Sequence, residues 1–187
     1  MATLASGTNT TMAVVMLVLI LIIVSSFSVA VVADAKFIAR VCKNIEETNG
    51  HCVEVLRSDP RSFNATSTRD LASISLDIAT STRRDIAKGI DDEASQHDER
   101  SPIGEALIDC ASYYAYAEQP LEDARESFDK GAYREAMDGA GEAEEAGDRC
   151  EQAFSDRELA SVVAALDERM NQRCDVAALL IDLLFVT

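Results

Sequence analysis

The residues best equipped for chemistry are five cysteines, Cys42, Cys52, Cys110, Cys150 and Cys174, and two histidines, His51 and His97. Thiols can ligate a metal, attack a carbonyl carbon or pair as disulfides, and spacing separates these uses. A zinc site needs clustered Cys and His, but no CxxC occurs and the histidines fall in separate turns. A di-iron bundle needs Glu-x-x-His on two helices, and neither histidine has that spacing. No GxSxG, P-loop or dinucleotide glycine pattern is present, and no histidine accompanies Cys174 to activate it as a nucleophile. These patterns predict no catalytic residue, no metal and no cofactor. Pairing remains, with Cys174 as a buried free thiol.

The pairing depends on the elements that carry the cysteines. Strand-type alternation is scarce, while apolar residues recur at intervals of three and four, so the reading is all-α. Leu71, Ile74, Ile78, Ile86 and Ile90 trace one helix. A second starts at Ser101-Pro102, a good N-cap followed by a proline suited to the first turn, and carries Ile103, Leu107, Cys110, Tyr114, Ala117, Leu121, Ala124 and Phe128 to Lys130-Gly131. Pro120 should kink this helix near Tyr116 without breaking it, because the apolar seam keeps its phase through Leu121. The third has a seam of small residues: Tyr133, Ala136, Ala140, Ala143, Gly147, Cys150 and Phe154. Ser155 with Glu158 resembles a capping box that opens the fourth, over Leu159, Val163, Leu166, Met170, Ala177, Leu180 and Leu184. Short connections imply an antiparallel up-down-up-down four-helix bundle over residues 61–187. An N-terminal helical hairpin over 34–60 precedes it, turning at Thr48-Asn49-Gly50.

Residues equidistant from a tight antiparallel turn stand at the same height. Cys110 and Cys150 lie twenty residues either side of Lys130, so they should form one disulfide, and Cys42 and Cys52 flank the hairpin turn to form the other. Two disulfides fit an oxidising compartment. The apolar run from Met12 to Val24, followed by small residues at Ala33 and Ala35, reads as a secretory signal peptide over 1–33, although the run is also long enough to span a bilayer. Asn64-Ala65-Thr66 is a glycosylation sequon at Asn64. The net charge of −16 follows that segment entirely and argues against nucleic acid as a partner, while it would speed encounter with a basic protein.

The cysteine order, taken with "SDPRS" at Ser58–Ser62, "LASISLDIA" at Leu71–Ala79, "ALIDCASYY" at Ala106–Tyr114, "AYREAMDGA" at Ala132–Ala140 and "CEQAF" at Cys150–Phe154, resembles the plant invertase and pectin methylesterase inhibitors. The resemblance implies a four-helix bundle with an N-terminal hairpin, linked first to second and third to fourth cysteine. It also implies a secreted, monomeric apoplast inhibitor that binds a cell-wall enzyme one to one and obstructs its cleft. Gly131-Ala132-Tyr133 stands where invertase inhibitors often carry Pro-Lys-Phe, and "CDVAALLIDLL" from Cys174 is similar to the pectin methylesterase branch, which is the favoured target. Acid invertase, or a non-inhibitory signalling role for the same bundle, are the alternatives. Members commonly show Thr before the first and fourth cysteines, and this chain has Val41 and Arg149 there. The residues expected to meet the enzyme are Asp109, Tyr113, Tyr116, Asp123, Glu142, Glu145 and Arg149 on the second and third bundle helices. Aromatic and Arg side chains would anchor the contact, and carboxylates would steer it.

Overall fold

The computed structural model describes Met16 and residues 35–45 and 50–185. Met16 apart, the signal-peptide segment lies outside the described residues, as does the hairpin turn at Thr48-Asn49. A helical segment at 35–43 (α1) is followed by α2 (Cys52–Arg57), a 3₁₀ turn (Pro60–Asn64), α3 (Thr68–Ala94), α4 (Pro102–Tyr116), α5 (Glu118–Asp129), α6 (Tyr133–Ser155) and α7 (Ala164–Asp182), which ends in a 3₁₀ turn at Leu183–Phe185. The described residues are all-helical. Helix α3, the α4–α5 pair, α6 and α7 are the four rods of the bundle, each packed against its neighbours in the cycle.

Local chemistry sets the ends of these rods. Ser67 caps α3 by accepting from the Asp70 amide, and the Asp70 carboxylate returns the bond to the Ser67 amide at 2.9 Å. Ser101 caps α4 by accepting from the Gly104 amide at 3.0 Å, with Pro102 as the first helical residue. After α5 the chain reverses at Gly131, whose φ of +76° suits only glycine without strain, and the Ala132 amide reaches back to the Ser127 carbonyl.

Pro120 divides the second rod at one residue. Ala117 stands between α4 and α5 yet keeps helical angles (φ −63°, ψ −7°), so Tyr114, Ala117, Leu121, Ala124 and Phe128 all remain buried in phase. Because the chain restarts at Glu118, Pro120 falls in the first turn of α5, where a missing N–H costs no intrahelical bond.

The junction of the last two rods differs from the expected capping box. Ser155 is the final residue of α6, and Glu158 takes a left-handed φ of 56° inside the loop that follows. Leu159 and Val163 precede α7 rather than belonging to it. Burial of Ala153 and Phe154 keeps α6 helical through Ser155, and the Leu159 amide then closes onto the Phe154 carbonyl at 3.0 Å.

Two apolar clusters fill the bundle. One joins Ile38, Val41, Val55 and Leu56 of the hairpin to Leu71, Leu76, Phe128, Ala140, Leu180 and Ile181. The other holds Ile86, Ile90, Leu107, Tyr114, Leu121, Ala143, Phe154, Met170 and Cys174. Small residues let the rods approach closely: a Cβ on Gly139 would stand 2.7 Å from the Pro120 carbonyl oxygen.

Candidate functional site

Equal height across the Gly131 turn brings Cys110 of α4 and Cys150 of α6 together, with an S–S distance of 2.03 Å and Cα atoms 4.6 Å apart. Cys42 and Cys52 are joined in the same way, with Cα atoms 5.6 Å apart. Both bridges are fully buried. Cys174 is a buried free thiol on α7, and burial pushes its pKa well up, which suppresses the nucleophilic thiolate. Among the described residues no group of three or more His, Cys, Asp or Glu is placed to hold a metal ion, and no helix is long and apolar enough to cross a membrane.

The α4–α6 seam that carries the bridge also presents a polar face to solvent. Tyr116, at the end of α4, is 57% exposed and donates its hydroxyl to Glu142 Oε1 of α6 at 2.7 Å. The Arg149 guanidinium lies 6.0 Å from the Tyr116 ring centroid and donates to Glu145 Oε2 at 2.6 Å. The bond to Glu142, and then that carboxylate's charge, raise the Tyr116 phenol above its ordinary pKa. A shallow groove continues from this cluster along α6, lined by Met137, Asp138 and Gly141 and bordered by Ala178 of α7.

Four of the seven expected contact residues thus form one connected cluster: Tyr116, Glu142, Glu145 and Arg149. The other three are placed differently. Tyr113 is half-buried against the core. Asp109 is bonded by Arg157, from the loop after α6, at 2.8 Å. Asp123 is exposed on α5 and accepts from Gln119 at 2.9 Å. Asn64 is exposed at the end of the first 3₁₀ turn, and the Thr66 hydroxyl two residues on donates to Asp70.

Sequence reading missed the polar groups inside the bundle. Asp167 of α7 is 1% exposed and accepts the Tyr114 hydroxyl at 2.7 Å. Its other oxygen, Oδ2, is buried with no hydrogen-bond partner among the described residues, and the Glu151 carboxyl acts on the group from nearby. Burial, with Glu151 second, pushes the Asp167 pKa up to about 8. Glu144 on α6 is raised to about 7 by burial and by the charges of Asp175 and Asp148. A tyrosine in the seam needs a partner for its hydroxyl, and that requirement was the one available signal for Asp167. Between α5 and α3, Arg125 bonds Ser73 and Asp77, and Arg61 joins it on Asp77 at 2.8 Å.

The chain thus folds as a disulfide-braced four-helix bundle that exposes an aromatic and ionic face beside its brace. The chain is a member of the plant invertase/pectin methylesterase inhibitor family, whose sequence model matches residues 36–180. Its fold is similar to the crystal structure of a pectin methylesterase inhibitor from Arabidopsis thaliana at 20% identity, with a TM-score of 0.58 over 72% of this chain and 87% of that one. A mutant form of a pectin methylesterase inhibitor from Arabidopsis is similar at 17% identity, with a TM-score of 0.62 over 71% and 87% of the two chains. Comparison with curated protein sequences gives no match.

Proposed function

We propose that this chain is a secreted inhibitor of pectin methylesterase that lays the exposed faces of α4 and α6 across the enzyme's substrate cleft and performs no turnover of its own. The observation that carries the reading is the Tyr116–Glu142–Arg149–Glu145 cluster. It pre-orders an aromatic ring and a guanidinium on rigid helices beside a disulfide, so little side-chain entropy is left to lose on docking. Asp109, Tyr113 and Asp123 complete the contact surface, and the net charge of −16 speeds approach to a basic enzyme. Residues 1–33 act as the signal peptide, 34–60 and 61–187 form one inhibitor domain, and the product works in the cell wall as a monomer in a one-to-one complex, with Asn64 open to glycosylation.

Titration of acid released from pectin by a pectin methylesterase, with acid invertase assayed in parallel, tests the reading. Loss of esterase activity with invertase untouched is expected. Full esterase activity at excess protein would reject the proposal, and selective loss of invertase activity would transfer the role to the other branch of the family.

A further inference from the structure

Between α3 and α7, against the first 3₁₀ turn, lies a polar pocket of about 230 Å³. Two arginines one turn apart on α7, Arg169 and Arg173, line it. In so acidic a chain other arginines are taken: Arg61, Arg83, Arg125 and Arg157 all bond carboxylates. Arg169 and Arg173 have no such partner among the described residues, and Arg169 Nε is buried with no hydrogen-bond acceptor. Partial burial and the neighbouring Arg169 charge pull the Arg173 pKa below its ordinary value. The Glu54 carboxylate offsets part of that shift from a distance but makes no ion pair with Arg173, so neither guanidinium of the pair is held directly by an anion among the described residues.

The rest of the lining defines that anion. Ser58, Ser81 and Thr82 bring hydroxyl groups to the pocket. The Asp59 carboxylate also lines it, but three Arg61 donors already hold that group. Asp85 is an exposed carboxylate in the lining and makes no ion pair among the described residues. A free carboxylate beside two guanidiniums repels a fully deprotonated anion and accepts a hydrogen bond from one that retains a hydroxyl. We propose that this pocket binds a small hydroxyl-bearing oxyanion, hydrogen phosphate or a sugar acid, with Arg169 and Arg173 gripping the charged oxygens and Asp85 accepting from the hydroxyl. The site lies away from the α4–α6 face and does not depend on the enzyme target.

Calorimetric titration of the purified protein with sodium phosphate, D-galacturonate and sodium sulfate, at fixed ionic strength, tests it without any enzyme. Saturable binding of phosphate, galacturonate or both is expected, and which of them binds distinguishes a phosphate from a sugar carboxylate as the ligand. Sulfate should bind more weakly, and Asp85→Asn should narrow that gap. Arg169→Gln and Arg173→Gln should each weaken binding by about tenfold or more, the cost of losing a charge-assisted hydrogen bond. If either variant fails to fold, the native protein's Tm should still rise with the bound anion over chloride at equal ionic strength, and Arg173→Lys should retain part of the rise. No saturation and no rise in Tm with either hydroxyl-bearing anion, unchanged affinity in both folded Gln variants, or sulfate bound as tightly as the others would overturn the proposal.

Discussion

Replacing Asp167 with Asn should blunt the loss of stability that this bundle suffers as pH rises. The Asp167 carboxyl is buried between α4, α6 and α7, receives one hydrogen bond from Tyr114 and has the Glu151 carboxyl nearby. Its pKa rises from an ordinary 3.8 to about 8. A carboxyl whose folded pKa exceeds its unfolded one binds its proton more tightly in the native state. Its contribution to stability is therefore complete below pH 3.8 and is lost as pH rises through about 8. At about 1.4 kcal/mol for each tenfold change in proton affinity, the step corresponds to an upper bound of about 6 kcal/mol. Asn keeps an acceptor for the Tyr114 hydroxyl, offers an amide donor to Glu151 and carries no charge to desolvate. Urea unfolding followed by circular dichroism from pH 4 to 9 should find the two proteins within about 1 kcal/mol at pH 4. At pH 8.5 the Asn variant should be the more stable by several kcal/mol. A native protein that loses no stability relative to the variant as pH rises would refute a neutral Asp167 carboxyl.

Three further outcomes follow from the same contacts. Replacing Cys110 and Cys150 together with Ala opens a loop of sequence separation 40, and loop-closure entropy puts the loss near 4 kcal/mol, or a drop in Tm of about 8–16 °C by calorimetry. Gly139→Ala drives a Cβ to 2.7 Å from the Pro120 carbonyl oxygen and 3.1 Å from the Ala124 Cβ; chemical denaturation should register a loss of about 1–3 kcal/mol despite alanine's better helix propensity. Arg149→Glu removes the guanidinium beside Tyr116 but only an exposed ion pair, so esterase inhibition should weaken about tenfold or more while unfolding free energy stays within about 1 kcal/mol.

The sequence was most readable where one pattern imposed one geometry. The three-four seams place Leu71, Ile86, Leu107, Phe128, Ala140 and Leu180 inward, and all are buried. The turn at Gly131 sets Cys110 level with Cys150, so counting residues from the turn anticipates the bridge the folded chain carries. Ser155 misleads because the Ser-x-x-Glu spacing of a capping box also occurs in a chain that merely leaves a helix; packing of Phe154 decided between them. Pro120 looked costly because the restart at Glu118, which sets the proline in a first turn, carries no sequence mark.

The polar sites were less legible because they depend on heights and rotations between helices distant in sequence. Tyr114 and Asp167 are 53 residues apart, and nothing in the α7 seam distinguishes Asp167 from the solvated carboxylates around it. Arg169 and Arg173 look like ordinary surface charges until α3 is laid beside them and closes a polar pocket around both. At the α4–α6 face, Tyr116 and Arg149 could be singled out by residue type and exposure, but their proximity through the ring and Glu142 required the register of both helices.

Amide hydrogen exchange on the protein, free and in complex with pectin methylesterase, tests the account most directly. Added protection should concentrate at the end of α4 and along the solvent face of α6, around Tyr116, Glu142, Glu145 and Arg149, with α3 unchanged. Protection confined to α3 and α7, or no change anywhere at saturating enzyme, would contradict it.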